Sequence, residues 1–165
     1  MNTARAASVR QAIVTSFDTV PYPGDDNIVP AGRVSRESRE VAAAFKGRTW
    51  QSLMPGLVRE RKDALPFLSP DAFRYYLPAY LVACIDARGD IDTAWDSVIV
   101  RLMPPKRPDA SFLARTQGFS PSQSRAISSF LELQYEIELA AWGGEPPENF
   151  GQAIQYWTTL SATGD

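Results

Sequence analysis

An all-α fold in a single compact domain is what this sequence predicts, and three observations carry it. Apolar residues recur at i, i+3, i+4 and i+7 through most of the chain, and no segment alternates apolar and polar residues as a half-buried strand would. Two of these periodic runs open on Ser-Pro, the mark of a capped helix start with proline where its missing N–H does no harm. The length of 165 residues, with 44% hydrophobic and 22% charged, suits one ordinary core over residues 1–165 rather than two. Six or seven helices packed around a central, proline-kinked one are expected.

The first helix is read over Ala4 to Phe17, with Val9, Ile13 and Phe17 on one face. The stretch that follows, DTVPYPGDDNIVPAGRV, holds three prolines and two glycines, so it reads as a surface loop. Within it Pro23-Gly24 suits the centre of a type II turn, and Asp25, Asp26 and Asn27 stand at the turn exit. A second helix starts after Ser35, an N-cap with Glu37 in the first turn, and stops at Gly47. From Thr49 the residues Trp50, Leu53, Met54 and Leu57 follow helical spacing, but Pro55-Gly56 must bend or split that element.

Ser69-Pro70-Asp71 then opens the central helix, which runs to about Ala87. Phe73, Leu77, Tyr80, Leu81, Cys84 and Ile85 give it a wide apolar face, and Tyr76 and Val82 extend that face almost all round. Pro78 lies well inside it, where it removes one amide, bends the helix and leaves the Arg74 carbonyl needing another donor: a tyrosine hydroxyl, a water or a partner. On the less apolar side, Arg74 and Tyr75 are candidate interface anchors. DIDTAWDSVIVRLM forms a further helix, and Ser120-Pro121-Ser122-Gln123 is a capping box that opens another to about Trp142. NFGQAIQYWTTL closes the pattern with Phe150, Ala153, Ile154 and Trp157 on one stripe, and PPKRPD and GGEPPEN are the remaining breaks.

The segments PYPGDDNI and FLSPDAFRYYLPAYL resemble a family of small bacterial proteins classed as a domain of unknown function. That resemblance implies a compact helical protein with no established activity, and it transfers no catalytic residue.

Several chemistries are excluded or disfavoured by what the chain lacks. It has no histidine, which removes the commonest general base, the Ser-His and Cys-His nucleophile pairs and the commonest metal ligand. It also has no Gly-rich phosphate loop, dinucleotide fingerprint or Cys/His cluster, so no cofactor is expected. Asp86, Asp90, Asp92 and Asp96 crowd one segment, but their spacing does not match a calcium loop. They read better as helix punctuation, with Gly89 at C′ and Asp90 or Asp92 as the next cap, so no metal is expected. Glu37 and Glu40 alternate with Arg36 and Arg39, which describes a solvated face rather than a paired-carboxylate active site.

A net charge of −2 offers no general attraction to nucleic acid or anionic lipid, and RVSRESR and RERK are interleaved with acids. The longest apolar run, LPAYLVACI, is too short for a membrane span, and the first residues lack a signal-type apolar stretch. With the single Cys84 read as a small buried thiol, a cytoplasmic location is expected.

Charge is uneven along the chain. From Thr116 onward one base, Arg125, faces six acids, giving −5 there and leaving +3 for the rest. Glu132 and Glu136 are an i, i+4 like-charge pair with no local basic neighbour, and Glu138 belongs to the same acidic segment. Lack of chemistry, small size and this acidic segment point to a non-enzymatic protein that works through protein contact, for example an immunity or inhibitor protein neutralising a basic toxin. Its partner-binding candidates are Asp25, Asp26, Asn27, Arg74, Tyr75, Glu132, Glu136 and Glu138. The alternative is a small-molecule binding or sensing domain with a tyrosine-lined pocket. An enzyme working through carboxylates and Arg74 is the third reading.

Overall fold

Local signals fix several of the helix starts. Ser35 caps one helix with a reciprocal box, its side chain accepting from the Ser38 amide at 3.0 Å while its own amide donates to Ser38 Oγ at 2.9 Å. Ser69 caps the next by accepting from the Ala72 amide at 3.1 Å. Ser120 and Gln123 form the predicted box, with Gln123 N donating to Ser120 Oγ at 3.2 Å and Ser120 N to Gln123 Oε1 at 3.0 Å.

The computed structural model describes residues 3–33, 35–53, 55–87, 92–142 and 148–163. Among them are eight α-helices and no strand: α1 Thr3–Phe17, α2 Arg36–Phe45, α3 Pro55–Glu60, α4 Pro70–Asp86, α5 Asp92–Leu102, α6 Ala110–Thr116, α7 Pro121–Trp142 and α8 Glu148–Ala162. Single 3₁₀ turns stand at Asp25–Asn27, Trp50–Ser52 and Leu65–Phe67. Met54, the Gly89 and Asp90 punctuation, and residues 143–147 of the GGEPPEN break lie outside the described residues. The helix count exceeds the sequence reading through α6, whose seven residues are too few to show a periodic stripe. Asp109 starts it, accepting from the Phe112 amide at 2.8 Å. The Trp50 to Leu57 run splits before Pro55, as the proline requires.

Gly24 departs from the expected turn. Its φ of 89° is the positive value expected of glycine there, but its ψ of 149° is far from the value near 0° of a type II turn. It instead leads into the Asp25–Asn27 turn, closed by Asn27 N donating to Gly24 O at 3.1 Å.

The helices form one hydrophobic core. α7 packs between α8 and α1, α1 lies in turn against α4, and α3, α5 and α6 cover other sides of α4. α4 is therefore central, and residues all round it are buried, from Ala72 to Ile85. Phe119, in the link before α7, meets Phe17, Phe73 and Trp157 edge-on and so ties α1, α4 and α8 together. Trp95 Nε1 donates to Gln134 Oε1 at 2.9 Å, pinning α5 to α7.

α4 runs unbroken through the buried Pro78. Of the tyrosine hydroxyls that could relieve the Arg74 carbonyl, those of Tyr76 and Tyr80 serve other elements. Tyr76 donates towards the Phe45 and Arg48 carbonyls at 2.9 and 3.0 Å, and Tyr80 donates to the Arg61 carbonyl at 2.7 Å. Burial holds both phenols well above their ordinary range, so they remain donors. Replacing Pro78 by alanine is expected to return an amide to the helix without raising the thermal midpoint, because the core is packed around the proline ring. A clear rise in melting temperature would instead locate strain at this position.

Candidate functional site

Of the residues read as a partner-binding turn, Asp25 and Asn27 fasten the fold. Asp25 accepts from the Tyr22 hydroxyl and, at 3.0 Å, from the Gly47 amide, and Lys46 Nζ lies 3.7 Å from its other oxygen. Gly47 has a φ of 66°, and this left-handed residue turns its N–H out of the end of α2 towards Asp25 and Tyr22. Asn27 Nδ2 donates to Asp71 at 3.3 Å, while the Asn27 and Ile28 carbonyls accept from Ser69 Oγ and N. Asp26 is exposed and takes no part in this network. The hydrogen bond from Tyr22 is the largest influence holding the Asp25 carboxyl below its ordinary value of 3.8, with Gly47 and Lys46 acting in the same direction and partial desolvation against them.

A lowered folded-state value has a definite sign. Ionised Asp25 contributes its full stabilisation above the ordinary pH range of aspartate titration and loses it as pH falls through the lower folded value. Asp25→Asn is therefore expected to melt lower than the parent at about pH 6, with the difference shrinking as pH drops below the ordinary aspartate range. Paired melts across that window check it, and a difference that grows towards acid would contradict the assignment.

Arg74 is likewise engaged. Nη1 donates to the Gly118 carbonyl and Nη2 to Asp71 at 3.3 Å, which joins the turn, the start of α4 and the link before α7. A Cβ at Gly118 would collide with that guanidinium, so glycine is what lets Arg74 approach. Tyr75 does not sit on an open side of α4: it is 5% exposed and packs edge-on against Tyr22 and Tyr76 at 5.5 and 4.9 Å. Helical spacing sets it opposite the main apolar stripe, but α4 is covered there by the loop carrying Tyr22 and by the turn at Trp50. Asp25, Asn27, Arg74 and Tyr75 thus come together in one region, in which only Tyr75 is buried.

Glu132 and Glu136 lie elsewhere, on α7, and they have the basic neighbour that their own helix lacks. Arg5 of α1 places Nη2 at 3.3 Å from Glu132 and 3.2 Å from Glu136, bridging the like charges. Glu138 is half-exposed on the same helix. Of the aspartates read as punctuation, Asp86 pairs with Arg10, whose Nε lies 3.0 and 2.9 Å from its two oxygens. Among the described residues no group of three metal-ligating side chains occurs.

That Arg10–Asp86 pair edges a cleft of about 330 Å³ that the sequence does not reveal. Arg10 and Val14, one turn apart, give the α1 wall. Ala79, Val82, Ala83 and Asp86 recur at i, i+3, i+4 and i+7 to give the α4 wall, and the two alanines keep it low. Trp50, Leu53 and Pro55 close the third side. Trp50 is 4% exposed, and its indole N–H is buried with no hydrogen-bond partner. Buried donors are nearly always paired, and this one is an unmade hydrogen bond in a residue of the cleft wall. The volume is at the lower end of the ~300–1,000 Å³ of small-molecule sites. Tyrosines do not line it; Trp50 and aliphatic side chains do.

No helix among the described residues is long and apolar enough to cross a membrane. No curated protein and no solved structure matches the chain. A family match begins after PYPGDDNI and takes in FLSPDAFRYYLPAYL, the second of the two segments that carry the resemblance. It covers residues 31–161, from just before α2 almost to the end of α8, and the chain belongs to that family, described as "Family of unknown function (DUF6714)".

Proposed function

We propose that this is a non-enzymatic binding protein whose cleft between α1, α4 and the Trp50 turn takes a small amphipathic molecule. The observation that carries the reading is the unpartnered, buried Trp50 indole N–H in a wall to which Val14, Leu53, Pro55 and Val82 give apolar surface. A ligand with an apolar body against Val14, Leu53 and Val82 and an acceptor that a turn of the indole brings to that N–H removes the penalty of an unmade hydrogen bond. The half-exposed Arg10 and Asp86 offer a charge of each sign at the cleft edge for a polar end. Among the described residues they are the only ionisable groups in the wall, and they are paired with each other.

Val82→Trp tests this, since Val82 is only partly buried and a larger ring there fills the cleft from its open side. Screening the full chain by thermal shift against short amphipathic carboxylates and amines, hexanoate and hexylamine among them, is expected to give hits that the variant does not show. The reading fails if no member of the panel shifts the midpoint and none co-purifies, or if the hits act equally on Val82→Trp.

One observation favours a second reading, a protein partner such as a basic toxin neutralised in the cytoplasm. Leu139 is 43% exposed on α7 beside the acidic Glu136 and Glu138, an apolar anchor in a charged surround. Glu132, Glu136 and Glu138 changed together to glutamine would then slow association and flatten its salt dependence. Pull-downs combined with toxin-rescue assays supply the partner. Unchanged association kinetics in that variant would remove this face from consideration.

A further inference from the structure

The cleft beside Trp50 has a charged end and an apolar remainder, and helix geometry sets the order. Val14 lies one turn beyond Arg10 on α1, and Val82 lies one turn before Asp86 on α4. Because Arg10 and Asp86 touch, both charges stand at the same place and each valine is a turn away from it. A helical turn rises about 5.4 Å, a distance comparable to the reach of a leucine side chain whose α-carbon stands at the charged end. Leu53 and Pro55 add aliphatic surface from the third side, and Ala79 and Ala83 leave room for a branch.

The ion pair is not closed to a ligand. Arg10 donates to Asp86 through Nε, at 3.0 and 2.9 Å from the two oxygens, and among the described residues its Nη1 and Nη2 make no hydrogen bond. The Nη edge of a guanidinium is a planar fork that matches a carboxylate. Ionised Asp86 has about four lone-pair sites, so sharing the one Nε–H leaves it able to accept from an ammonium as well. The two side chains are 43% and 39% exposed, and a ligand reaches both from solvent. Unlike charges from two helices thus meet at the edge of a largely aliphatic cavity of about 330 Å³.

We propose that the cleft binds a free aliphatic α-amino acid of the leucine type. Its carboxylate lies on the Nη edge of Arg10, its ammonium on Asp86 and its side chain against Val14, Leu53 and Val82. An α-amino acid carries both charges on one carbon beside an apolar branch, so it answers all three features together, whereas a simple acid or amine leaves one charge of the pair unused. The assignment rests on the cleft being a ligand site and narrows the ligand to one class.

Isothermal titration calorimetry of the full chain compares leucine with two molecules of the same carbon skeleton: isocaproate, which lacks the ammonium, and isoamylamine, which lacks the carboxylate. Leucine is expected to bind about tenfold more tightly than either, the effect of one additional charge-assisted contact. Arg10→Gln should weaken leucine and isocaproate about tenfold without weakening isoamylamine, and Asp86→Asn should weaken leucine and isoamylamine without weakening isocaproate. Exposed ion pairs contribute little to stability, so both variants are expected to fold; should either fail, the three ligands compared on the parent chain decide. Leucine bound no better than isocaproate or isoamylamine overturns the amino-acid assignment and leaves the cleft reading standing. Leucine bound equally well by Val82→Trp sits elsewhere, and both readings fall. Binding of none of the three overturns the amino-acid site, and the wider amphipathic panel then decides the cleft.

Discussion

Replacing Trp157 by alanine is expected to cost about 3–5 kcal/mol, a larger loss than that of any other variant. Trp157 is fully buried in α8, packs edge-on against Phe119 at 5.2 Å and Tyr156 at 5.6 Å, and donates its indole N–H to the Leu102 carbonyl at 2.9 Å. Truncation opens a cavity where α8 meets the Phe119 hub and leaves the last carbonyl of α5 without its donor. For a domain of this length that corresponds to a fall of roughly 6–20 °C in melting temperature. Thermal and urea melts measure it. Trp157→Phe separates the two causes, because it keeps most of the packing and loses only the hydrogen bond. A Trp157→Ala penalty below about 1 kcal/mol would mean that α8 is not seated as described.

Tyr76→Phe is expected to be the next largest, at about 1–3 kcal/mol, although it removes only one oxygen. The fully buried hydroxyl lies between the carbonyls of Phe45 and Arg48, where α2 ends and the chain turns towards Trp50. Helix ends leave carbonyls without intrahelical donors, and here a side chain of α4 supplies one. Phenylalanine retains the edge-on contact with Phe45 at 4.7 Å, so the measured loss isolates the hydrogen bond. Hydrogen exchange should show the α2 end opening first in this variant. Uniform loss of protection across the molecule would contradict the local role.

The sequence discloses what depends on near neighbours. Ser35, Ser69 and Ser120 announce helix starts because capping is completed within three residues, and the all-round apolar pattern of α4 marks it as central. What it hides depends on tertiary pairing. Arg5 meets Glu132 across 127 residues of chain, and Arg10 meets Asp86 across 76, distances over which no spacing rule operates. Tyr75 falls on an apparently open side because helical spacing cannot show that a neighbouring loop covers it. Trp50 looks like one more apolar residue of a helical stripe; it stands in a 3₁₀ turn, and its unpaired N–H is visible only with the cleft around it.

The central claim, that the cleft at Trp50 is a ligand site, is most directly tested at the indole N–H itself. The chain has four tryptophans, so nitrogen-15 spectra contain four indole signals at most, and Trp50→Phe identifies the relevant one. On titration with an amphipathic compound that stabilises the protein, that signal should move and its exchange with water should slow, while those of the other tryptophans stay in place. A stabilising compound that leaves the Trp50 indole unmoved and shifts another tryptophan instead would contradict the account.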